Sequence, residues 1–308
     1  MRVLVTGVSG YVGAALVPRL QRAGHEVRGF ARSRERVAAA GVALDDLVIG
    51  DAISGAGLGR ALDGSDAAYY LIHSMEGPAH GFAEQERRAA ERFATAARAA
   101  GVHRVVYLGG LVPPDGAAVS RHLGSRLAVE QALLEAAAEP IAFRASIVIG
   151  SRSRSFRYLV RLIERLPVLA LPAWRSNRTQ PIDGRDVLEF LVRAAAAPAA
   201  LAGRSWDLGG PEAMTYAELI GRIADAMLLE RPAIGLGLHL TPLASVVGAA
   251  VAGEDPGFIG PLMESLEHDL LPRHGDAAAA FGVRLHGFDA AVERALRDWE
   301  ETEEVAAK

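Results

Sequence analysis

The chain has 308 residues, is 50% hydrophobic and 23% charged, and carries a formal net charge of −4. That balance offers no basic field to recruit nucleic acid or an anionic membrane surface. A small-molecule substrate is therefore the expected partner, with room left for a homo-oligomer. The absence of cysteine excludes disulfides, thiolate nucleophiles and cysteine-bound metals, and leaves the redox compartment undetermined.

The length suits one large α/β domain with an appended lobe, or two modest domains. "MRVLVTGVSGYVG" opens directly into a strand pattern. It has none of the charged, apolar and cleavage regions of a signal peptide, so a cytoplasmic location is the expectation. "RVLVT" reads as a buried strand, and helical spacing follows from Tyr11 to Ala23, stopped by Gly24. "EVRGFAR", "DDLVIGD" and "AAYYLIHSM" supply strands two to four. A long helix follows, from about Gly81 to Ala100. "HRVVYLGG" is the fifth strand, Ser120 to Ala138 the next helix, and "IAFRASIVIG" begins as a sixth strand. This alternation predicts a parallel sheet covered by helices on both faces.

Beyond Gly150 the rhythm loosens. Helices are predicted near 156–165, 185–196, 216–227 and 290–300, with short strands at 180–182 and 205–208. The chain divides softly into a dinucleotide-binding part, 1–150, and a part of 151–308 holding a C-terminal lobe and the remaining sheet elements, with a shared cleft. Ala233 to Gly253 is long and mostly apolar, but His239, Pro242 and several glycines interrupt it. A buried or groove-lining segment fits better than a membrane span.

"VTGVSGYVG" sets Gly7, Gly10 and Gly13 between a strand and a helix. Gly7 suits a tight turn, Gly10 a backbone that approaches a pyrophosphate, and Gly13 a helix packed close to the sheet. The helix N-terminus offers unpaired N–H groups to the phosphates. With the strand before it and the helix after it, the motif predicts a doubly wound Rossmann fold that binds a dinucleotide through Gly7, Ser9, Gly10, Tyr11 and Val12.

The G-x-x-G-x-x-G spacing after Thr6 resembles the extended and atypical short-chain dehydrogenase/reductase family. "AAYYLIHSM", "VVYLGGL", "FRASIVIGS", "RLPVLALPAW", "TQPIDGRDV" and "WDLGGPE" look like successive landmarks of its NAD(P)H-binding, NmrA-like branch. The likeness covers most of the chain and is looser in the C-terminal lobe. It is specific for fold and cofactor and poorly specific for substrate.

The end of the second strand separates the two nicotinamide cofactors, because an acid there suits a ribose 2′-OH and a guanidinium a 2′-phosphate. Here the strand runs into "ARSRER", with Arg32 at its tip. The cofactor expected is NADP(H), and Arg34 or Arg36 is assigned to a solvated helix start. The resemblance puts Asp51 and Ala52 near the adenine, although Asp51 also suits a loop or cap. It runs the cofactor past Leu71, His73 and Ser74. Tyr69 and Tyr70 alternate along their strand and are read as packing, one on each face.

In catalytic members of the family, a Tyr and a Lys four residues later stand on the helix after the fifth strand, and a Ser lies near the end of that strand. The same frame here reads His122, Leu123, Gly124, Ser125, Arg126 and Glu130, with Gly109 and Gly110 where the Ser is expected. Three readings of the catalytic position stay open. His122 is the acid; or Arg126 is a cofactor clamp and the acceptor takes its proton from water; or the site is silent.

Other constellations are weak. "HDLLPRHGD" reads as a packed turn rather than a metal site, and "SRSRSFRYLVRLIERL" as an amphipathic helix with a solvated basic face. Asp183 or Asp186 suits a helix cap, and the resemblance brings Gln180 to the cleft. The sequence thus predicts an enzyme, an NADPH-dependent reductase of a small apolar carbonyl, enone or quinone. The alternative is an NmrA-like NADP(H) sensor that acts through a partner.

Overall fold

The computed structural model describes residues 1–72, 82–113, 121–235, 248–251, 253 and 256–303. Seven strands form one wholly parallel sheet: β1 (Arg2–Thr6), β2 (Glu26–Ala31), β3 (Asp46–Ile49), β4 (Ala67–Tyr70), β5 (Arg104–Gly110), β6 (Ile141–Ala145) and β11 (Arg204–Leu208). Their spatial order is β11-β6-β5-β4-β1-β2-β3, so the chain reverses direction across the sheet between β1 and β4. Ligands of open α/β sheets bind at such a point, outside the carboxyl ends of the strands.

Alternation along each strand builds two cores. Val3, Val5, Tyr69, Val106 and Phe143 face α1 (Tyr11–Arg22) and α7 (Gly184–Ala194). Leu4, Ala68, Tyr70 and Tyr107 face α4 (Phe82–Ala99) and α5 (Arg121–Leu134). The two adjacent tyrosines therefore divide as expected. The Tyr69 hydroxyl donates to the Leu191 carbonyl, while the Tyr70 ring meets Phe93 edge-on with centroids 5.0 Å apart.

A third core belongs to the lobe. It joins α6 (Arg154–Arg165), α8 (Tyr216–Ala226), α9 (Pro256–Ser265) and α11 (Phe288–Glu300) around Phe156, Ile163, Tyr216, Ile223 and Trp299. The basic helix is amphipathic as predicted, but its polar face is not simply solvated. The Arg157 and Arg161 guanidiniums lie 4.3 and 4.9 Å from the centre of the Trp299 ring, and both pair with Glu303.

Several predicted boundaries move. The sixth strand breaks after Ala145, where Ser146 N–H donates to the Leu208 carbonyl; the chain then leaves the sheet as β7 (Val148–Ile149), paired with β10 (Ile182–Asp183). The strand expected at 180–182 becomes two short pieces, β9 (Arg178–Thr179) and β10, on either side of Gln180 and Pro181; a proline has no N–H to give a ladder. The helix expected to reach Ala138 stops at Leu134. Four short helices went unforeseen: α2 (Arg34–Ala39), α3 (Leu58–Leu62), α9, and α10 (Ala277–Phe281). Three of them are too short to show a period, and α9 carries Gly and Pro within its span. Among the described residues no helix is long and apolar enough to cross a membrane; of the apolar stretch from Ala233, residues 236–247 lie outside the described set.

Candidate active site

The glycine loop is shaped by close approach. Gly7 has φ +68°, and a Cβ there would lie 2.5 Å from the Leu71 carbonyl oxygen. A Cβ on Gly13 would overlap the Gly7 carbonyl, so α1 starts hard against the turn that precedes it. Thr6 splices the two central strands. Its buried hydroxyl donates to the Tyr69 carbonyl and accepts from Leu71 N–H. The N-cap of α1 is Gly10, with no side-chain cap and no acid in the first turn. The first N–H groups are left for an anion, as the motif requires.

Above this loop lies a cleft of about 810 Å³. It gathers Gly7, Ser9, Gly10, Tyr11, Val12, Arg32, Asp51, Ala52, Leu71 and Arg126, together with Gly109 and Gly110. His73 and Ser74 lie outside the described residues. Arg32 is the first residue past β2 and is exposed. Arg36, assigned from sequence to a solvated helix start, also lines the cleft; Ser33 caps that helix by accepting from Arg36 N–H. The Asp51 carboxylate is committed to its own turn, where it accepts from Ile53 and Ser54 N–H at 3.1 and 3.2 Å.

Tyr11 locks the loop to the rest of the chain. Its hydroxyl fills the space that a Cβ on Gly150 or on Gly184 would need. Burial, followed by the nearby Asp183 carboxylate, pushes this phenol up to about 12. Asp183 is the cap of α7, accepting from Arg185 N–H. Asp186, the other predicted cap, instead takes His286 N–H and the His286 ring, at 2.8 and 2.5 Å. Gln180, expected at the cleft, is absent from its wall; its amide donates 2.6 Å to the Gly210 carbonyl.

The catalytic frame sits on α5. His122 is in its first turn, and its side chain falls outside the described set. Arg126 lines the cleft and is only 4% exposed. Its guanidinium lies 3.5 Å from the carboxylate of Glu86, an equally buried residue of α4, and the other Glu86 oxygen accepts from Ser125 at 2.8 Å. No sequence signal singled out Glu86, because it sits in a helix rich in Glu and Arg. Glu130, the last member of the frame, is structural: Arg144 of β6 and Ser205 of β11 both donate to its carboxylate.

The missing Ser has a local cause. A Cβ on Gly109 would stand 2.8 Å from the Tyr107 ring and 3.1 Å from its hydroxyl. Tyr107 is buried beside Tyr70 with ring centroids 6.4 Å apart, and burial pushes its phenol up to about 12. Beyond the frame, the far wall of the cleft adds Ser146, Arg152, Arg154, Thr179, Tyr216, Ser265 and Leu270; of these only Thr179 lies in a segment, "TQPIDGRDV", that the resemblance brings to the cleft.

A parallel sheet in this order, a glycine turn opening on an uncapped helix and a cleft across the reversal point define a dinucleotide-binding protein of the extended short-chain dehydrogenase/reductase class. The chain belongs to the NAD dependent epimerase/dehydratase family, whose model matches residues 3–209. It is 28% identical over 155 residues to the Arabidopsis thaliana protein named NADH dehydrogenase [ubiquinone] 1 alpha subcomplex subunit 9, mitochondrial. That match takes in 49% of this chain and spans only 37% of the relative's length. Among solved structures, the fold resembles a nucleoside-diphosphate-sugar epimerase from Staphylococcus aureus, with TM-score 0.75 and 13% identity over 95% of this chain and 100% of that one. It also resembles a short-chain dehydrogenase/reductase superfamily protein from Agrobacterium tumefaciens with bound NAD, with TM-score 0.70 and 19% identity over 96% and 95%.

Proposed function

We propose that the protein is an NADPH-dependent reductase of a small apolar carbonyl, enone or quinone that works without the usual Tyr/Lys pair. The observation that carries this reading is the pair Arg32 and Arg36 on the cleft wall beyond β2, with no acid at the strand tip. Two guanidiniums suit a 2′-phosphate, which accepts charge-assisted bonds that a 2′-OH cannot repay. The residues present fit the cofactor: the uncapped start of α1 and Gly10 take the pyrophosphate, and Arg126 the nicotinamide ribose. When bound, that group supplies a hydride. Arg126 holds charge and geometry but releases no proton near neutral pH, so the reduced acceptor takes its proton from water. The ubiquinone in the Arabidopsis relative's name supports keeping a quinone among the acceptors.

A second reading, an NmrA-like NADP(H) sensor acting through a partner protein, is favoured by the engagement of Arg126 with Glu86 and by the glycine at the Ser position. The two readings part in one experiment. A reductase oxidises NADPH with at least one member of an apolar carbonyl, enone and quinone panel and loses that rate in Arg126→Ala; a sensor binds NADPH and NADP with different affinity and turns over nothing.

A further inference from the structure

At the lobe end of the cleft stands a hydroxyl that the fold does not use. Tyr216, the first residue of α8, lines the cleft, is 2% exposed, and its hydroxyl is buried with no hydrogen-bond partner among the described residues. Thr179, which shares its hydroxyl with Ser146 at 2.9 Å, is the polar side chain beside the phenol, but the Tyr216 hydroxyl does not meet it in hydrogen-bond geometry. A buried donor without a partner destabilises a fold, a cost that a phenylalanine would avoid.

The ring itself is held firmly. Trp174 meets it edge-on at 88° with centroids 5.9 Å apart, Tyr216 N–H donates to the Asn177 carbonyl, and the reciprocal Thr215–Glu218 cap fixes the start of α8 behind it. Around it the wall is mixed, with Leu266 and Leu270 beside Thr179 and Ser146. An aromatic ring locked in a largely apolar site, with a few polar groups beside it, is how binding sites orient apolar ligands.

We propose that the Tyr216 hydroxyl is the substrate-binding donor of this cleft, and that it takes a neutral oxygen of an otherwise apolar acceptor, with Ser146 and Thr179 flanking it. This rests on the reductase reading above and narrows it, since it requires an acceptor with an oxygen that enters the lobe end of the cleft. Burial raises the Tyr216 phenol, so it remains a neutral donor throughout the physiological range. A neutral donor brings no counter-charge with which to bury an anion, so an uncharged carbonyl or quinone oxygen suits this wall.

The test compares naphthoquinone with naphthalene, which has the same ring system without the oxygens, by calorimetric titration of the NADP-loaded full chain and of its Tyr216→Phe variant. The expected result is an approximately tenfold loss of naphthoquinone affinity in the variant, one hydrogen bond's worth. Naphthalene and NADPH affinities stay unchanged, and the thermal midpoint of the ligand-free variant is equal to or above that of the parent. Naphthoquinone affinity unchanged in the variant, or a thermal midpoint lowered by several degrees, overturns the assignment while leaving the reductase reading intact. Failure of the parent protein to bind naphthoquinone, with NADPH binding normal, overturns the acceptor class and this assignment together.

Discussion

The Arg126 guanidinium lies 3.5 Å from the Glu86 carboxylate, and both side chains are almost wholly buried. The pair spans α5 and α4, and Ser125 adds a hydroxyl to the same carboxylate. A cation on the cleft wall is thereby held at a fixed place by an acid beneath it. Removing one partner of a buried pair leaves an uncompensated charge, which costs about 3 kcal/mol or more. Glu86→Ala is therefore expected to lower the denaturant midpoint by that order with an unchanged slope, and to weaken NADPH binding. A stability loss below about 1 kcal/mol would show that the pair behaves like a surface ion pair.

Restoring the missing Ser should not restore a site. Gly109→Ser places a Cβ against the buried Tyr107 ring, and overpacking of this kind costs about 1–3 kcal/mol. In a Tyr107→Leu background the same change is expected to cost markedly less than in the parent. A double-mutant cycle in urea measures the difference, and strict additivity would contradict the contact.

His122 is expected to matter little. Its place in the frame matches the catalytic Tyr, but on the proposed mechanism Arg126 holds the cofactor and the proton comes from water. His122→Phe should lower NADPH turnover less than about tenfold, because a dedicated general acid contributes roughly 100-fold or more. A thousandfold loss with cofactor affinity intact would make His122 the acid.

The fold should be sensitive to alkali. The chain has six tyrosines, and burial raises all of their phenols, with Tyr11, Tyr107 and Tyr158 reaching about 12. In the unfolded chain these groups ionise near pH 10, so above that pH the unfolded state loses protons first. Stability is full below about pH 10 and falls as pH rises toward the folded values. Phenolate absorbance is expected to appear together with loss of helical circular dichroism; a separate phenolate step at pH 10 in the folded protein would contradict the burial.

Much of the sheet and the lining of the glycine-loop end of the cleft could be read from sequence, because both rest on local signals. Strand runs such as "RVLVT" and the glycines at 7, 10 and 13 carry their geometry in a few adjacent residues, and the structure brings Ser9, Arg32 and Asp51 to the same wall. The lobe end was not legible. Tyr216, Thr179 and Ser146 come from three separated segments, and only the folding of the lobe onto the sheet brings them to one wall. Glu86 was hidden for a different reason: "FAEQERRAAERF" spreads Glu and Arg along one helix, and only the packing of α5 against α4 selects which carboxylate is buried. Arg36 departs from expectation because an Arg in the first turn of a helix is usually solvated, and here that turn borders the cleft.

The most direct test is steady-state oxidation of NADPH and NADH with naphthoquinone as acceptor, comparing the parent chain with Arg32→Ala/Arg36→Ala. Charged hydrogen bonds to a phosphate are worth about 1.5–3 kcal/mol each, so the parent is expected to favour NADPH over NADH by at least about tenfold in kcat/KM. The double variant should lose that preference through NADPH alone. A parent enzyme that uses NADH as well as NADPH, or a preference that survives loss of both arginines, would contradict an NADPH-dependent reductase built on this cleft.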